Sequence, residues 1–403
     1  MNTSDTAPAT MPVVRLIPKA EARAIRHGYP WVYANELVTD RRTRNLTPGT
    51  IAQLEDASRT PMGVVAVTPA SKIICRMLDQ NPDAVIDQAW FNARLTRALA
   101  HRDRLYDAPF YRLVHAEADG LPGVVIDRFG DTAVVQPNAA WADALITPLV
   151  AALQDVTGVT TVIMNGTGRA RTLEGLEEKT EVIVGEAPTG PIPVPMNGAT
   201  YMADVMGGQK TGLFFDQRPN HAFAAGLAKD ARVLDVFSHV GGFGLAALAG
   251  GAQSALAVDG SAPALELAAQ GAAAMGATDR FETRKGDAFD VLATLAEEDA
   301  RFDVVVCDPP AFAPTRNAAE AGLRAYERVA RLAAPLVTEG GYLVLCSCSH
   351  AADITKFRNA SARGIGRAGR RGQIIYTGFA GPDHPQMPHL AESGYLKVIV
   401  FRL

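Results

Sequence analysis

Residues 345–350 read LCSCSH, which places Cys346 and Cys348 on either side of one serine, directly after the apolar run GGYLVL. Zinc needs about four ligands, usually as two spaced pairs, and Cys75 and Cys307, the chain's other cysteines, supply no second pair. A disulfide between residues two apart would be strained. Two interpretations remain: a small buried side chain, favoured for Cys346, and a nucleophile, favoured for Cys348.

A nucleophilic cysteine suits methylation of a pyrimidine ring. Carbon 5 of a pyrimidine is too weak a nucleophile to take a methyl group, whereas a thiolate that adds to carbon 6 makes carbon 5 reactive. Asp308, in CDPPAF (307–312), can give a proton or hydrogen bond to N3, and the two prolines after it stiffen the backbone. A base must then remove the proton of carbon 5. His350 is a candidate, and a structural role at a strand end is the alternative.

The sequence pattern beyond residue 230 predicts the strands and helices that position these residues. Short apolar runs alternate there with Ala-rich helical stretches near 243–249, 262–275, 288–298 and 317–336. This alternation predicts an α/β fold with a mainly parallel, doubly wound sheet. The last two runs, QIIYTGF and YLKVIVFRL, have no helix-length crossover between them, which predicts an antiparallel pair at one edge of the sheet.

Ligands of such a sheet bind beyond the carboxyl ends of its strands. The fifth predicted strand ends on the Cys346-Ser347-Cys348 stretch. The first four end on acids, which are Asp235, Asp259, Asp287 and Asp308. A single acid at a strand end is a common accident, but four of them indicate a site.

The turn after the first strand has features of a nucleotide site. Gly241 and Gly242 precede a helix, where glycine lets a ligand approach the backbone and the helix N-terminus offers free N–H groups; an ordinary tight turn is the alternative. Asp259 ends the second strand, where a carboxylate can take both hydroxyls of a ribose; a helix N-cap is the alternative. Together these features resemble the class I S-adenosylmethionine-dependent methyltransferase fold, with a nicotinamide dinucleotide as the competing ligand.

That resemblance implies S-adenosylmethionine as the cofactor. Asp235 and the glycine loop, with Phe237, would hold the methionine moiety, Asp259 the ribose, and Asp287 the amino group of the adenine. The sequence DPP after the fourth strand and the antiparallel final pair favour the methyltransferase over the dinucleotide alternative.

The residues before 191 predict two smaller domains. Residues 11–86 alternate short β-type runs with turns and contain one helical stretch near KAEARAIRHG, which predicts a small, mostly β domain. Residues 87–190 begin with an amphipathic connector helix (87–103), contain a hairpin on the turn FGD and end in the Pro-rich stretch EAPTGPIPVP. They predict an α+β middle domain, and the doubly wound domain then spans 191–403.

At the level of motifs, the chain resembles the ribosomal RNA large subunit methyltransferase I family over nearly its whole length. The matching stretches are HGYPWVYANEL, EADGLPGVVIDRFGD, LEGLEE, GGQKTGLFFDQRPN, DVFSHVGGF, DPPAF, SCS and YLKV. The resemblance implies a PUA-like RNA-binding domain, a middle domain and a C-terminal methyltransferase domain. It also implies formation of 5-methylcytosine in 23S ribosomal RNA through a covalent cysteine adduct at cytosine C6.

In this resemblance the stretch SCS assigns the nucleophile to Cys348, and GQKTGLFFDQR lies over the cofactor pocket with Gln217 and Arg218 near it. The chain departs from the family pattern at three positions. Family members often have Lys where Ala311 stands, Gly where His350 stands and Tyr where His239 stands. The base that removes the carbon 5 proton therefore stays open.

Two other functions also remain open. Methylation of a guanine ring nitrogen needs no cysteine, and related enzymes combine DPP with an aromatic residue. A non-catalytic RNA-binding or ribosome-assembly factor would keep only a vestigial cofactor pocket.

Contact with RNA is expected in the N-terminal domain. Arg15, Lys19, Arg23 and Arg26 lie near Trp31 in the sequence. Cations beside an aromatic ring suit a phosphate backbone with stacked bases, and a solvated helix face with core aromatics is the alternative. The PUA-like resemblance favours RNA.

The composition limits the cellular compartment and the kinds of partner that we expect. The chain has 403 residues, 48% of them hydrophobic, and a formal net charge of −4, so any polyanion site must be a local patch. It shows no secretory signal, no long apolar run and too few cysteines for a disulfide framework, which predicts the cytoplasm. The expected partner is RNA, either 23S ribosomal RNA or an assembling large subunit. No metal and no membrane are expected, and a homodimer is left open.

Overall fold

The computed structural model describes residues 11–208 and 211–403, which divide into two compact units. The first unit contains the described residues up to Ala187 and the segment Pro385–Ala391, and the second contains Pro188–His384 and Glu392–Leu403. No helix in the described ranges is long and apolar enough to cross a membrane.

The first unit holds two five-stranded sheets. The N-terminal sheet has the order β1-β3-β4-β5-β2, and its neighbouring strands are antiparallel except for β1 and β3. Its strands are β1 (Val13–Arg15), β2 (Trp31–Tyr33), β3 (Thr50–Glu55), β4 (Pro61–Val67) and β5 (Ile73–Asp79), and its helices are α1 (Ala22–Arg26) and α2 (Arg41–Arg44). The sequence predicted this small, mostly β architecture.

The second sheet has the order β10-β9-β8-β7-β6, with β8 and β9 parallel. Its strands are β6 (Phe110–His115), β7 (Val124–Phe129), β8 (Thr132–Pro137), β9 (Thr161–Gly166) and β10 (Lys179–Val184), and its helices are α3 (Gln88–Arg102), α4 (Ala140–Ala144), α5 (Ile146–Thr157) and α6 (Arg169–Leu173). The connector helix α3 begins after Asp87, whose carboxylate accepts from the N–H of Trp90 at 2.9 Å. The β7–β8 hairpin turns at Gly130 and Asp131, as the stretch FGD predicted.

Because both sheets belong to one compact unit, the proposed division of 11–86 from 87–190 stays a prediction. The predicted boundary after residue 190 lies close to the observed division between Ala187 and Pro188.

The second unit is built on a seven-stranded sheet with the order β15-β14-β13-β16-β17-β19-β18. A hairpin precedes it, β11 (Ile192–Met196) and β12 (Ala199–Ala203), and the sheet strands are β13 (Arg232–Val236), β14 (Ser254–Asp259), β15 (Phe281–Lys285), β16 (Phe302–Cys307), β17 (Val337–Ser347), β18 (Gln373–Gly378) and β19 (Lys397–Arg402). The first five sheet strands are parallel, and β19 pairs antiparallel with both β17 and β18. The predicted doubly wound sheet with an antiparallel last pair at its edge is confirmed.

The helices of this unit are α7 (Arg218–Gly226), α8 (Gly242–Ala249), α9 (Ala262–Ala274), α10 (Ala288–Glu297), α11 (Ala319–Ala333) and α12 (Ile354–Arg367). Helices α10 and α11 cover the sheet through buried Leu292 and Val329, which belong to one core cluster with Leu234 of β13 and Val305 of β16. Strands β13 and β16 are buried on both faces, which is why their sequences are continuous apolar runs instead of alternating ones.

Strand β11 and helix α12 differ from the sequence-based expectation. The Pro-rich stretch, expected to end the middle domain, forms strand β11 in its second half: Pro193 and Pro195 are exposed while Val194 and Met196 are buried. Proline is tolerated at a strand edge because its missing N–H is not needed there. Helix α12 was not predicted, since its sequence is rich in Arg and Gly and its apolar residues are few.

Candidate active site

The parallel strands bring their carboxyl ends to one edge of the second unit's sheet. The N–H of Asp308, directly after β16, donates to the carbonyl oxygen of Val236 at the end of β13, at 3.2 Å. Asp235 and Asp259 stand on the neighbouring strands β13 and β14. Four predicted residues, these three acids and Cys348 after β17, therefore share this edge.

The loop between β13 and α8 has an unusual backbone. Phe237, His239 and Gly241 have φ values of 63°, 50° and 81°, which lie in the left-handed region. Two of these residues have side chains, for which this conformation is unfavourable, and strain of this kind concentrates at functional sites. The loop is fixed by the N–H of Ser238, which donates to the carbonyl oxygen of Val258 at 3.0 Å.

Asp235 is almost fully buried beneath this loop. Its Oδ2 accepts from the N–H groups of Phe243 and Gly244 at 3.2 and 2.8 Å, whereas its Oδ1 has no hydrogen-bond partner among the described residues. The buried hydroxyl of Ser238 also lacks a partner within the described part of the chain. Burial raises the pKa of Asp235 to about 7, and the nearby charge of Asp259 acts in the same direction. An unpaired buried carboxylate oxygen fits the ammonium group of an amino-acid ligand.

The first turn of α8 packs closely against His221, a neutral histidine. A Cβ added to Gly242 would lie 2.9 Å from Nε2 of His221, so that position has no room for a larger residue. Burial, together with a smaller effect of the charge of Arg218, lowers the pKa of His221 to about 3, so the imidazole is neutral. Arg218 therefore lies within electrostatic range of His221, and its predicted place near the cofactor pocket stays a prediction.

Asp259 and Asp287 differ in their local role. Asp259 accepts from the N–H groups of His239 and Ser261, at 2.9 and 2.8 Å, and thereby ties the glycine loop to the end of β14. Ser261, not Asp259, is the N-cap of α9. Asp287 is exposed and caps α10 through the N–H of Phe289 at 2.9 Å.

A chain of amide hydrogen bonds holds Asp308. Gln217 is buried and its Nε2 donates to Oδ2 of Asp308 at 2.9 Å. The amide of Gln217 is oriented in turn by Asn220, whose Nδ2 donates to Oε1 of Gln217 at 2.8 Å and to the carbonyl oxygen of Phe379 at 3.0 Å. Sequence reasoning missed Asn220, although it lies within the matched stretch GGQKTGLFFDQRPN. Gln209 and Lys210 of that stretch lie outside the described residues.

The two cysteines of the opening motif have different environments. Cys346 is 1% exposed, and burial, with a contribution from Asp308, holds the pKa of its thiol well above its usual value. Cys307 is also fully buried. Cys348 is half-buried, between Ser347 and Ser349, which are both completely buried. Among the described cysteines, Cys348 is therefore the one that a substrate can reach.

The two serines anchor the loop that carries Cys348. The hydroxyl of Ser349 accepts from the N–H of Ala313 at 2.9 Å and pairs with the hydroxyl of Tyr326 at 2.7 Å. The N–H of Ser349 donates to the hydroxyl of Ser347 at 3.3 Å. These bonds join the strand β17 end to the loop after Asp308 and to helix α11.

Lys397 is a site residue that sequence reasoning did not single out. It stands opposite Ser347 in the β17–β19 register, is 5% exposed, and donates from Nζ to the carbonyl oxygen of Ser349 at 2.6 Å. Burial lowers its pKa to about 8, while Cys348 and Asp353 act against that shift. A lysine inside the apolar run YLKVIVF was the available signal, because lysine is rarely buried without a partner.

The three departures from the family pattern lie around this edge. His239 belongs to the β13–α8 loop, and its ring centroid is 5.0 Å from that of Phe214. His350 is exposed, and its ring centroid is 5.8 Å from that of Tyr395. Ala311 is exposed, and Phe312 after it packs inward, with ring centroids 5.0 Å from Tyr326 and 6.3 Å from Phe237. The aromatic residue after DPP therefore supports the glycine loop.

The cations predicted to contact RNA lie in the first unit. Arg15 pairs with Glu55 at 2.8 Å and Arg26 pairs with Asp56, while Lys19 and Arg23 are exposed. Trp31 donates from its indole N–H to Glu117 at 2.8 Å. Internal carboxylates thus neutralise part of this predicted patch. The described residues contain no cluster of three or more His, Cys, Asp or Glu side chains that could hold a metal ion.

Two family models match the chain. Residues 14–80 match a model described as PUA-like domain, which confirms the predicted N-terminal domain type, and residues 215–338 match one described as Conserved hypothetical protein 95.

Two relatives that match over nearly the full length carry the same name. A protein from Cronobacter sakazakii named Ribosomal RNA large subunit methyltransferase I is 32% identical over 392 residues, which cover 96% of this chain and 98% of that protein. A protein of the same name from Alteromonas mediterranea is 35% identical over 94% of this chain and 96% of its own length. A solved structure from Streptococcus mutans, assigned to the SAM-dependent methyltransferases, covers 98% of this chain and all of that one, with a TM-score of 0.81 and 19% identity. This likeness confirms the predicted class I methyltransferase fold.

Proposed function

The chain belongs to the ribosomal RNA large subunit methyltransferase I family, and from this premise we propose that it forms 5-methylcytosine in 23S ribosomal RNA through a covalent adduct on Cys348. It is an enzyme, and S-adenosylmethionine is its cofactor. The observation that carries the proposal is the contrast between two neighbouring thiols, because Cys346 is sealed in the core and Cys348 is only half-buried, at the carboxyl edge of the sheet that also carries Asp308.

Cys348 would act as the nucleophile. As its sulfur bonds to carbon 6 of the flipped cytosine, the electrons of the ring double bond move toward N3, which takes a proton from Asp308. Carbon 5 then becomes nucleophilic enough to take a methyl group, which the bound cofactor supplies. Removal of the carbon 5 proton afterwards restores the ring double bond and expels the thiolate, and N3 returns its proton to Asp308. His350 is the exposed base nearest in sequence to Cys348 and stays the candidate for that step.

Asp308 would be oriented for this work by Gln217. The 2.9 Å bond from the amide of Gln217 holds one carboxyl oxygen, and Asn220 fixes which end of that amide faces the acid. The carboxyl group thus keeps one orientation as charge develops on the ring.

Lys397 would support the thiolate. Its ammonium donates to the carbonyl of Ser349, the residue after Cys348, and interacts electrostatically with the Cys348 sulfur. A nearby cation favours the thiolate, which is the nucleophilic form of cysteine.

The cofactor would lie along the glycine loop. The unpaired oxygen of Asp235 suits its ammonium group and Arg218 its carboxylate, with Phe237, Gly241 and Gly242 closing the loop around it. The roles proposed for Asp259 at the ribose and Asp287 at the adenine follow from the resemblance to class I methyltransferases.

The test is to compare Cys348→Ala with the matched variant Cys346→Ala. Both proteins are incubated with S-adenosylmethionine and with 23S RNA from cells that lack this gene, and the methylated nucleosides are identified by mass spectrometry. We expect Cys348→Ala to lose at least roughly a thousandfold in rate, and Cys346→Ala to keep most of it. RNA that carries 5-fluorocytosine at the target position should form a trapped covalent complex with the wild type and with Cys346→Ala, but not with Cys348→Ala.

Each contrary result would indicate a different mechanism or function. Undiminished 5-methylcytosine formation by Cys348→Ala would refute the nucleophile. A methylguanine product independent of Cys348 would identify a ring-nitrogen methyltransferase. Absence of S-adenosylmethionine binding, unchanged by Asp259→Ala, would indicate a non-catalytic assembly factor.

The cellular compartment, the partner, the RNA contacts and the domain organisation are part of the same proposal. A ribosomal RNA substrate would put the protein in the cytoplasm, with free RNA or an assembling subunit as its partner. The PUA-like domain would contribute Arg15, Lys19, Arg23, Arg26 and Trp31 to RNA contact. The division into domains at 11–86, 87–190 and 191–403 and the homodimer stay predictions, which limited proteolysis and sedimentation would test.

A further inference from the structure

Helices α11 and α12 lie side by side in the second unit and form one continuous surface. Gly364 of α12 packs so closely against α11 that an added Cβ would overlap the carbonyl oxygen of Glu327 and lie 2.7 Å from the Cβ of Ala330. Arg363 donates from Nε to Glu327 at 3.0 Å, and Arg367 also pairs with Glu327. This seam between the helices is therefore fixed by both packing and charge.

The seam is strongly basic in a chain that is acidic overall. Segments 316–333 and 353–371 together contain ten Arg and Lys residues and three Asp and Glu residues, a net charge of +7, whereas the whole chain carries −4. Segment 262–299, which forms helices α9 and α10 of the same unit, has the opposite balance, with three cations and eight acids. The positive charge is thus concentrated at α11 and α12.

Five cations line the seam itself. Arg324 and Arg331 stand three residues before and four residues after Glu327, so all three share one face of α11. Lys356 lies seven residues, about two turns, before Arg363 and so shares its face of α12, where it pairs with Asp353 at 3.0 Å. The five cationic side chains are well exposed, while the carboxylate of Glu327 is only 10% exposed at the base of the seam. Exposed ion pairs are weak, so these cations can exchange partners with a polyanion.

The seam leads away from the candidate active site. Helix α11 follows the loop after Asp308, and α12 begins after its N-cap Asp353, five residues beyond Cys348. Both helices therefore begin at the carboxyl edge of the sheet and run back along it. A 14-residue helix such as α12 is about 21 Å long, which is enough for several phosphate groups of a nucleic-acid strand.

We propose that the α11–α12 seam binds the phosphate backbone of the RNA that flanks the target nucleotide. The inference rests on the proposed function, because it assumes that RNA reaches Cys348. Charge complementarity favours RNA as the occupant, because a positive patch concentrated on an otherwise acidic protein attracts a polyanion. Phosphate contacts at the seam would fix the position of the RNA strand along the protein, and the site at Cys348 would select the base.

The test removes three seam cations that do not pair with Glu327. The seam variant is Arg324→Gln/Arg331→Gln/Lys356→Gln, and the matched control Lys229→Gln/Arg284→Gln/Arg301→Gln removes the same charge from other parts of the second unit. RNA affinity is measured against salt concentration for both, with thermal unfolding and S-adenosylmethionine binding as checks on folding.

We expect the seam variant alone to bind RNA roughly tenfold more weakly near physiological salt, with a log–log salt slope reduced by about 2. Its KM for RNA should rise while kcat at saturating RNA holds. Equal salt slopes and KM values for the wild type, the control and the seam variant would overturn the inference and assign this face to another partner or to solvent. A wild type that neither binds nor methylates RNA would instead refute the proposed function.

Discussion

At Asp235, burial and the proposed cofactor contact would act on one carboxyl group in opposite directions. Burial raises its pKa to about 7, so in the free protein the folded state favours the protonated form, and this burial costs stability increasingly as the pH rises from about 4 to 7. A cofactor ammonium group would favour the ionised form. Binding of S-adenosylmethionine should therefore tighten as the pH rises through 7.

Calorimetry at pH 6 and pH 7.5 tests this prediction. We expect the Kd of the wild type to fall several-fold between the two values, because the ionised fraction of a group with a pKa near 7 changes by roughly that factor. Asp235→Asn should bind more weakly and lose the pH dependence. Identical pH dependence in both proteins would show that another group is responsible.

Lys397 should control the reactivity of Cys348. Its ammonium is charged below its pKa of about 8, so it favours the thiolate at neutral pH and loses that effect above pH 8. Lys397→Met should raise the thiol pKa and slow alkylation of Cys348 at pH 7 by roughly tenfold, which corresponds to one pKa unit. Lys397→Arg, which keeps the charge, should restore much of the rate.

The measurement is iodoacetamide labelling at several pH values, followed by mass spectrometry of the peptide that contains Cys348. It reads the thiol directly and needs no RNA. Buried Cys346 should stay unlabelled in every folded variant. If Lys397→Met labels with the wild-type pH midpoint, the lysine has only a structural role.

At the scale of elements, the packing of α11 against α12 depends on one glycine. A Cβ at Gly364 would meet the Cβ of Ala330 at 2.7 Å and the backbone N of Arg331 at 3.0 Å. Backbone cannot move aside cheaply, so Gly364→Ala should separate the helices and lower the free energy of unfolding by about 1–3 kcal/mol.

Gly366, two residues further along the same helix, is the matched control. An added Cβ there meets nothing within 4 Å, and alanine is the better helix former, so Gly366→Ala should raise the free energy of unfolding by about 0.5–1 kcal/mol. Urea unfolding of the two variants gives opposite signs if the close helix contact is real. A neutral or stabilising Gly364→Ala would contradict it.

At the scale of the whole molecule, the net charge does not show how the charged residues are distributed over the protein. A formal charge of −4 gives no sign of a polyanion partner, and the predicted N-terminal cations are partly paired within their own unit, Arg15 with Glu55 and Arg26 with Asp56. The α11–α12 seam becomes a patch only when two segments separated in the chain pack together.

The amino-acid sequence by itself determined the α/β class, the antiparallel final strands and the strand-end acids. These features depend on local periodicity and on turn residues, which act over a few positions. It also distinguished Cys348 from Cys346 through family resemblance, and the burial of the two thiols agrees with that distinction.

Only the tertiary structure decided which groups support those residues. Asn220 acts on Asp308 through Gln217, and Lys397 reaches the carbonyl of Ser349 across 48 positions of sequence. Such contacts arise from strand order and helix packing, and no local propensity encodes them. The same reason explains why the sequence could show Asp235 at a strand end but not its buried, unpaired oxygen, which exists only because the α8 loop folds over it.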